Sequence, residues 1–412
     1  MKYIIILGDG MADEPLESLG GKTPLAYADT PHMDRLSKLS EIGMVYTIPE
    51  GMSPGSDTAN LSVLGYDPAK YYSGRSPLEA LSIGVEMKDT DVAIRCNVVT
   101  LSEEEPVFEE KTILDHSSSE IGTQESAVLL HEVAKQLGDE IWQFYVGTGY
   151  RHCLIWAGGR VVPLTPPHDV TGRKIGAYLP GVPALREMMK KSYEILVSHP
   201  INLERKKQGR NPANCCWFWG AGTKPALSSF QDKTGKKGMM VSAVDLLKGI
   251  AAGSGMGVAK VEGATGGLDT NYTGKVEAAV QALTTGGYEL AYVHLEAPDE
   301  MGHQGSAEKK VRAIELIDGK VVGPVAEKLQ EAGEDFRLLV LPDHPTPVRT
   351  RTHSSDPVPY LLYDSTRPLT RHWDYNEEEA RAGGHEIRVG HELMEYFLQK
   401  EKSGQNRAAA EE

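Results

Sequence analysis

Seven residues of this 412-residue chain have the types and placement to gather metal ions around a hydroxyl nucleophile: Asp9, Ser56, Asp299, His303, Asp343, His344 and His353. Mixed carboxylate and imidazole donors suit borderline divalent cations, and a serine hydroxyl becomes a nucleophile when such a cation lowers its pKa. Each Asp lies just past an apolar run of strand character. Asp9 follows residues 3–8, Asp299 comes soon after 290–295, and Asp343 follows 338–342. Open parallel sheets bind ligands at the carboxyl ends of their strands, so three strands delivering carboxylates predict one shared site. Singly, each piece has an ordinary explanation: an Asp after a strand commonly caps a turn or helix, and Asp299 and His303 have the spacing of a surface pair. Three Asp and three His, with a hydroxyl held back, are enough ligands for two metal ions.

Ser56 follows Pro54-Gly55 and precedes a run, 58–64, of helical character. It is therefore expected at a helix N-terminus, where free N–H groups and the positive end of the dipole favour a phosphoryl group. A plain N-cap serine would be the ordinary alternative, but capping alone does not require the preceding Pro-Gly. A second group of candidates lies in the middle of the chain. Arg151 follows Gly147-Thr148-Gly149-Tyr150, and its fork can hold a carboxylate bidentately where Lys cannot. His116, His168, Asp169 and Arg210 are weaker candidates for gripping a substrate, because basic runs such as 205–210 are most often solvated faces.

The elements that must position these residues divide the chain. Residues 1–90 read as a βα unit and its extension, and 212–400 return to βα alternation, with one long helix, 306–332, broken near Gly323-Pro324. Between them, 91–211 has shorter alternating strands and polar loops, so a discontinuous core with an inserted domain is expected, followed by a frayed tail at 401–412. The metal ligands fall in the core and the basic candidates in the insert. Apolar content of 40% and charged content of 25% fit a globular enzyme. The net charge of −15 argues against a nucleic-acid partner, though a small anionic substrate needs only a local basic cluster. No signal peptide or membrane span is expected, and Cys96, Cys153, Cys215 and Cys216 form no C-x-x-C pair, which points to buried thiols and a cytoplasmic location. Self-association is left open.

Motifs along nearly the whole chain resemble the cofactor-independent (2,3-bisphosphoglycerate-independent) phosphoglycerate mutases of archaeal type, members of the alkaline phosphatase superfamily. They include Asp9-Gly10, Leu19-Gly20-Gly21-Lys22-Thr23-Pro24, Pro54-Gly55-Ser56-Asp57-Thr58-Ala59, Arg95-Cys96-Asn97, Asp269-Thr270-Asn271-Tyr272, Asp299-x-x-Gly302-His303, Asp343-His344-Pro345-Thr346-Pro347 and His353-x-x-Asp356-Pro357. The resemblance implies an α/β fold: an alkaline-phosphatase-like parallel sheet with helices on both faces and an inserted α+β domain. It implies one metal site of Asp299, His303 and His353, and another of Asp9, Asp343, His344 and the Ser56 oxygen. Manganese is the metal implied, with zinc or magnesium serving some members. The implied chemistry is phosphoryl transfer through phosphoserine at Ser56, interconverting 3- and 2-phosphoglycerate, with the insert excluding water. One departure is Asn60, where many members have His. The residues 8–13 and Ser-Asp-x-Ala-Asn also resemble a bacterial subgroup with a proposed homoserine kinase role, which is the runner-up. A phosphatase or sulfatase, or a non-enzymatic binding module, accounts for the residues less well.

Overall fold

A computed structural model describes residues 1–398, so the tail expected at 401–412 lies outside the described residues. In chain order the described strands are β1 (Lys2–Gly8), β2 (Glu41–Val45), β3 (Val92–Leu101), β4 (Ile113–Asp115), β5 (Trp142–Thr148), β6 (Arg151–Trp156), β7 (Cys215–Thr223), β8 (Gly238–Val241), β9 (Gly257–Val258), β10 (Leu290–Leu295), β11 (Phe336–Leu341), β12 (Val358–Asp364) and β13 (Glu386–Ile387). The chain divides into two compact units, Met1–Tyr72 with Leu227–Glu412, and Ser73–Ala226.

The first unit is built on an eight-stranded sheet in the order β13-β2-β12-β11-β1-β10-β8-β9. β11, β1, β10, β8 and β9 run parallel, and β12 is antiparallel to both of its neighbours. The run Tyr3–Leu7 is apolar at every position rather than alternating, because successive side chains point to opposite faces and both faces are covered. Ile4 and Ile6 pack with Ala291, Val293, Leu338 and Val340 against the helices Tyr272–Thr284 and Gly323–Glu331. On the other face Tyr3 meets the Phe397 ring edge-on at 5.6 Å. The parallel-rich α/β core expected from the sequence is present.

Register brings the ends of the central strands level. Leu7 pairs with both His294 and Leu341, so Asp9 and Asp343, each two residues further on, leave the sheet at the same height. The break expected in the long helix is a local widening: Ala307–Ile317 passes through a π-turn, Asp318–Val322, into Gly323–Glu331. Pro324 lacks the N–H for an i→i−4 bond, and a π-turn absorbs such a fault without ending the helix. β12 was not anticipated, since its run, 358–364, follows the loop carrying His353 with no alternation to mark it.

In the second unit β3 is central, pairing antiparallel with β4, β6 and β7, while β5 pairs with β6. Val98, Leu129, Leu154, Leu185 and Trp217 form its core with the helices Thr123–Leu137 and Pro183–Leu196. Residues 73–90 and 212–226, assigned above to the core, lie in this unit. β7 is needed as a partner of β3, and the helix Arg75–Ser82 packs on both strands. All four cysteines are buried free thiols, as expected. No helix among the described residues is long and apolar enough to cross a membrane.

Candidate active site

All seven residues singled out for metal chemistry meet in the first unit, at the carboxyl ends of β1, β10 and β11. Asp9 leaves β1 into a turn where Gly10 has φ +61° and a Cβ would stand 2.7 Å from Asp299 Cα, so only glycine lets the two acid-bearing segments approach this closely. Asp299 sits in the first turn of the helix Ala297–His303, and one helical turn brings His303 back over it, Nε2 3.2 Å from Oδ2. His353 Nε2 comes within 3.3 Å of Asp299 Oδ1 and 3.0 Å of His303 Nε2. His303 Nδ1 donates to Arg351 O at 2.9 Å, which turns Nε2 inward.

Ser56 is the first residue of the helix Ser56–Val63, whose N-cap is Gly55. Its hydroxyl is therefore not spent on capping. Ser56 Oγ lies 3.1 Å from His344 Nε2 and 3.5 Å from Asp9 Oδ2. Asp343 Oδ1 accepts from the amides of Gly10 (3.1 Å) and His344 (2.8 Å), and Oδ2 accepts from Asn60 Nδ2 at 3.0 Å. His344 Nε2 lies 3.5 Å from Asp343 Oδ2 and 3.7 Å from Asp9 Oδ1, and its ring centroid is 4.0 Å from that of His353, so it stands between the two acid groups. Ligand atoms of Asp299, His344 and His353 lie within 4.8 Å of one another, as do those of Asp9, His294 and Asp343.

The charges are unbalanced in a way that fits bound cations. Asp9 is pushed well above the usual carboxylate range, first by burial and then by Asp343, Asp299 and Glu296. Its Oδ1 is buried without a hydrogen-bond partner. An orphaned carboxylate oxygen deep among other acids is costly unless something positive meets it. Burial also works against the Asp299 carboxylate, but hydrogen bonds from His303 and His353 outweigh it and hold the pKa below the usual range. The Asp299 bond in turn raises His303 to about 9. Burial lowers His344, and lowers His294 to about 4. Carboxylate oxygens and imidazole nitrogens converging at these distances are a donor set for divalent metal ions.

Residues outside the expected set complete the site. Asn60 is fully buried; its amide donates to Ser56 O (2.8 Å) as well as to Asp343, while Tyr292 Oη donates to its Oδ1 at 2.5 Å. Thr346 Oγ1 donates to Asp299 Oδ1 at 2.5 Å and lies 3.3 Å from His344 Nδ1. His294 contacts Asp9 Oδ2 at 3.0 Å. His294 was legible only as the end of a strand; its signal was its place at the carboxyl end of β10, on the same face as Tyr292.

A 46% identical relative from Geobacter sulfurreducens, aligned over 97% of this chain and 100% of its own, bears the name probable 2,3-bisphosphoglycerate-independent phosphoglycerate mutase. The chain belongs to that family. A Methanosarcina barkeri member is 47% identical over 93% of this chain and 96% of its own. The family model described as 2,3-bisphosphoglycerate-independent phosphoglycerate mutase matches residues 37–202. Among solved structures, a Pyrococcus horikoshii protein superposes with a TM-score of 0.80 at 31% identity, covering 98% of this chain and 99% of that one. A cofactor-independent phosphoglycerate mutase from Thermoplasma acidophilum superposes with a TM-score of 0.65 at 26% identity, covering 97% and 99%.

The second unit brings together most of the substrate-gripping candidates. The His116 ring lies 6.1 Å from Tyr150 and 6.2 Å from His168, and the Arg151 guanidinium stands 5.5 Å from the Tyr150 ring. His168 Nε2 is 3.7 Å from Asp169 and its ring is 5.3 Å from Trp219, over which Arg95 stacks at 4.1 Å. Arg210 is engaged instead by Glu125 at 3.3 Å and Gln208 at 2.6 Å. Arg95, quoted above only as part of a motif, and Trp219, not quoted at all, join this aromatic–basic cluster.

Proposed function

We propose that this chain interconverts 3-phosphoglycerate and 2-phosphoglycerate, without 2,3-bisphosphoglycerate, by carrying the phosphoryl group on Ser56. The observation that carries the reading is the Ser56 hydroxyl: it is free of capping duty and held by His344 and Asp9 beside buried acid–imidazole groups, in a member of the mutase family. We assign one divalent cation to Asp299, His303 and His353 and a second to Asp9, Asp343, His344 and Ser56, with manganese the first choice and zinc or magnesium the alternatives. When bound, such cations lower the pKa of a coordinated hydroxyl and offset phosphoryl charge.

Ser56 Oγ attacks phosphorus in line, and its new bond forms as the bond from phosphorus to the substrate oxygen breaks. The other hydroxyl of the same glycerate then attacks phosphoserine and regenerates Ser56. Water must be kept out while Ser56 carries the group, or hydrolysis results. We assign the grip on the glycerate to the Ser73–Ala226 unit, with Arg151 on the carboxylate and His116, His168 and Asp169 beside it. Arg210, held by Glu125, is the weakest of the set. A role in glycolysis and a reducing cytoplasm follow from this reading, and the four buried free thiols suit that compartment.

The homoserine kinase alternative drew on residues 8–13, on the Ser-Asp-x-Ala-Asn pattern and on Asn60 as the place where a change of acceptor would show. Asn60 is buried, with its amide committed to Ser56 O and Asp343, so it positions the nucleophile rather than meeting a substrate. The test is to supply 3-phosphoglycerate alone, without ATP or 2,3-bisphosphoglycerate, and to measure 2-phosphoglycerate; product is expected. No product, together with ATP-dependent phosphorylation of homoserine in a parallel assay, overturns the mutase reading.

A further inference from the structure

His294 is fully buried near the end of β10 and stands outside the two ligand sets assigned above, although its ring nitrogen gathers with oxygens of Asp9 and Asp343 within 4.8 Å. Its Nε2 is 3.0 Å from Asp9 Oδ2, and its Nδ1 is 3.4 Å from Ser242 Oγ. That serine hydroxyl already accepts the Val244 N–H at 3.0 Å, so its one proton is available to Nδ1. With Nδ1 accepting, the imidazole carries its hydrogen on Nε2, pointed at the Asp9 carboxylate. With Asp9 ionised, as a cation ligand must be, the opposite tautomer would set a nitrogen lone pair against a carboxylate oxygen at 3.0 Å.

The two oxygens of Asp9 therefore differ. Oδ2 is occupied by His294, with Ser56 Oγ at 3.5 Å, whereas Oδ1 is buried without a hydrogen-bond partner, His344 Nε2 standing 3.7 Å away. We propose that His294 is the positioning residue of Asp9: through its Nε2–H it fixes Oδ2 and leaves Oδ1 as the oxygen that meets a cation, with Ser242 setting the tautomer. The proposal rests on the reading of Asp9 as a cation ligand. It makes His294 a hydrogen-bond donor behind the ligand and not a ligand itself, although its nitrogen is as close to Asp9 as a shared cation would allow.

Donors that orient metal ligands from behind are worth about 10–100-fold in metal affinity. Mn²⁺ titration followed by electron paramagnetic resonance should show His294→Phe weakening one of two binding events by about that factor. His294→Gln, whose amide N–H can reach the place of Nε2–H, should recover most of the loss. The pulsed-resonance ¹⁴N modulation of bound Mn²⁺ should be the same in wild type and His294→Gln. A loss of ¹⁴N coupling in the Gln variant would make His294 a ligand and overturn the proposal, as would a Gln variant as weak as Phe. A measurement on the unaltered protein guards against misfolded variants: with Zn²⁺ bound and ¹⁵N-labelled histidine, His294 should be protonated at Nε2, and a metal-bound or Nδ1-protonated ring is the contrary result. A wild-type chain that binds no divalent ion at all defeats the metal reading itself, a different outcome from normal binding with an unrescued His294.

Discussion

At the residue scale, the site depends on where single protons and lone pairs are placed. Ser56→Ala removes the oxygen that accepts the phosphoryl group in the proposed mechanism, and loss of a catalytic nucleophile commonly costs on the order of 10⁶-fold in turnover. We expect no trapped phosphoprotein and no detectable 2-phosphoglycerate from that variant, with metal content reduced by no more than one ion; measurable isomerisation would remove Ser56 from the mechanism. His353→Ala takes one nitrogen from the Asp299 group and leaves Asp9 and Asp343 with their partners. Elemental analysis should then find about one ion fewer per chain than in wild type, following the loss of a ligand. Retention of the full complement would count against the assignment. Arg151 is exposed beside Tyr150, and Lys in its place keeps charge but loses the fork. Arg151→Lys should lower kcat/KM by about 10-fold or more, the worth of one or two charge-assisted hydrogen bonds, with unchanged metal content. Wild-type kinetics would return Arg151 to the solvated surface.

At the scale of elements, the long helix does more than span the sheet. Asp318, in its π-turn, accepts the amides of His32 (3.2 Å) and Met33 (2.7 Å) at the start of the helix Pro31–Ser37. Thr30, the N-cap of that helix, makes no side-chain cap bond, so Asp318 caps it from another element. Asp318→Ala should destabilise the unit by about 1–2 kcal/mol, the usual worth of such a cap. A denaturant midpoint that does not move would show the cap to be idle. Metal affinity should be unaffected in the folded variant, since the contacts lie away from the acid cluster. The tight turn after β1 is the opposite case: at Gly10 even an added methyl would collide with Asp299.

At the scale of the whole molecule, the two compact units have separate cores, and one of them carries its own pH dependence. His152 in β6 is buried with Nε2 unpartnered, while Nδ1 accepts from Gly147 N at 3.1 Å. Burial, with a smaller push from His131, lowers its pKa from 6.5 to about 4. The folded unit thus binds fewer protons than the unfolded chain between these values. The stability from a neutral His152 is fully present above about pH 6.5 and is lost as pH falls toward 4, by up to about 3 kcal/mol. Denaturant unfolding of wild type and His152→Asn, which keeps an acceptor near Nδ1, should show their stability difference changing across this window. A difference constant from pH 7 to 4.5 would mean that His152 does not govern the acid side.

Much of this was legible in the chain before folding was considered. Apolar runs ending in Asp9 and Asp343 marked parallel strands, because only a sheet covered on both faces tolerates side chains that are apolar at every position. Donor types at Asp299, His303, His344 and His353 announced metal chemistry, since residue type alone decides which atoms can coordinate. Register was beyond its reach: that Asp9 and Asp343 stand level depends on Leu7 pairing with both His294 and Leu341, which is a relation between segments hundreds of residues apart. The same holds for His294 and Thr346, whose side chains are ordinary in sequence, and for Asn60, marked there only as a departure from the family pattern; all three gain meaning from what faces them. Ser242 shows the limit best. A serine after a short strand has no signal of its own, and only the approach of β8 to β10 sets its hydroxyl against a histidine ring that faces Asp9.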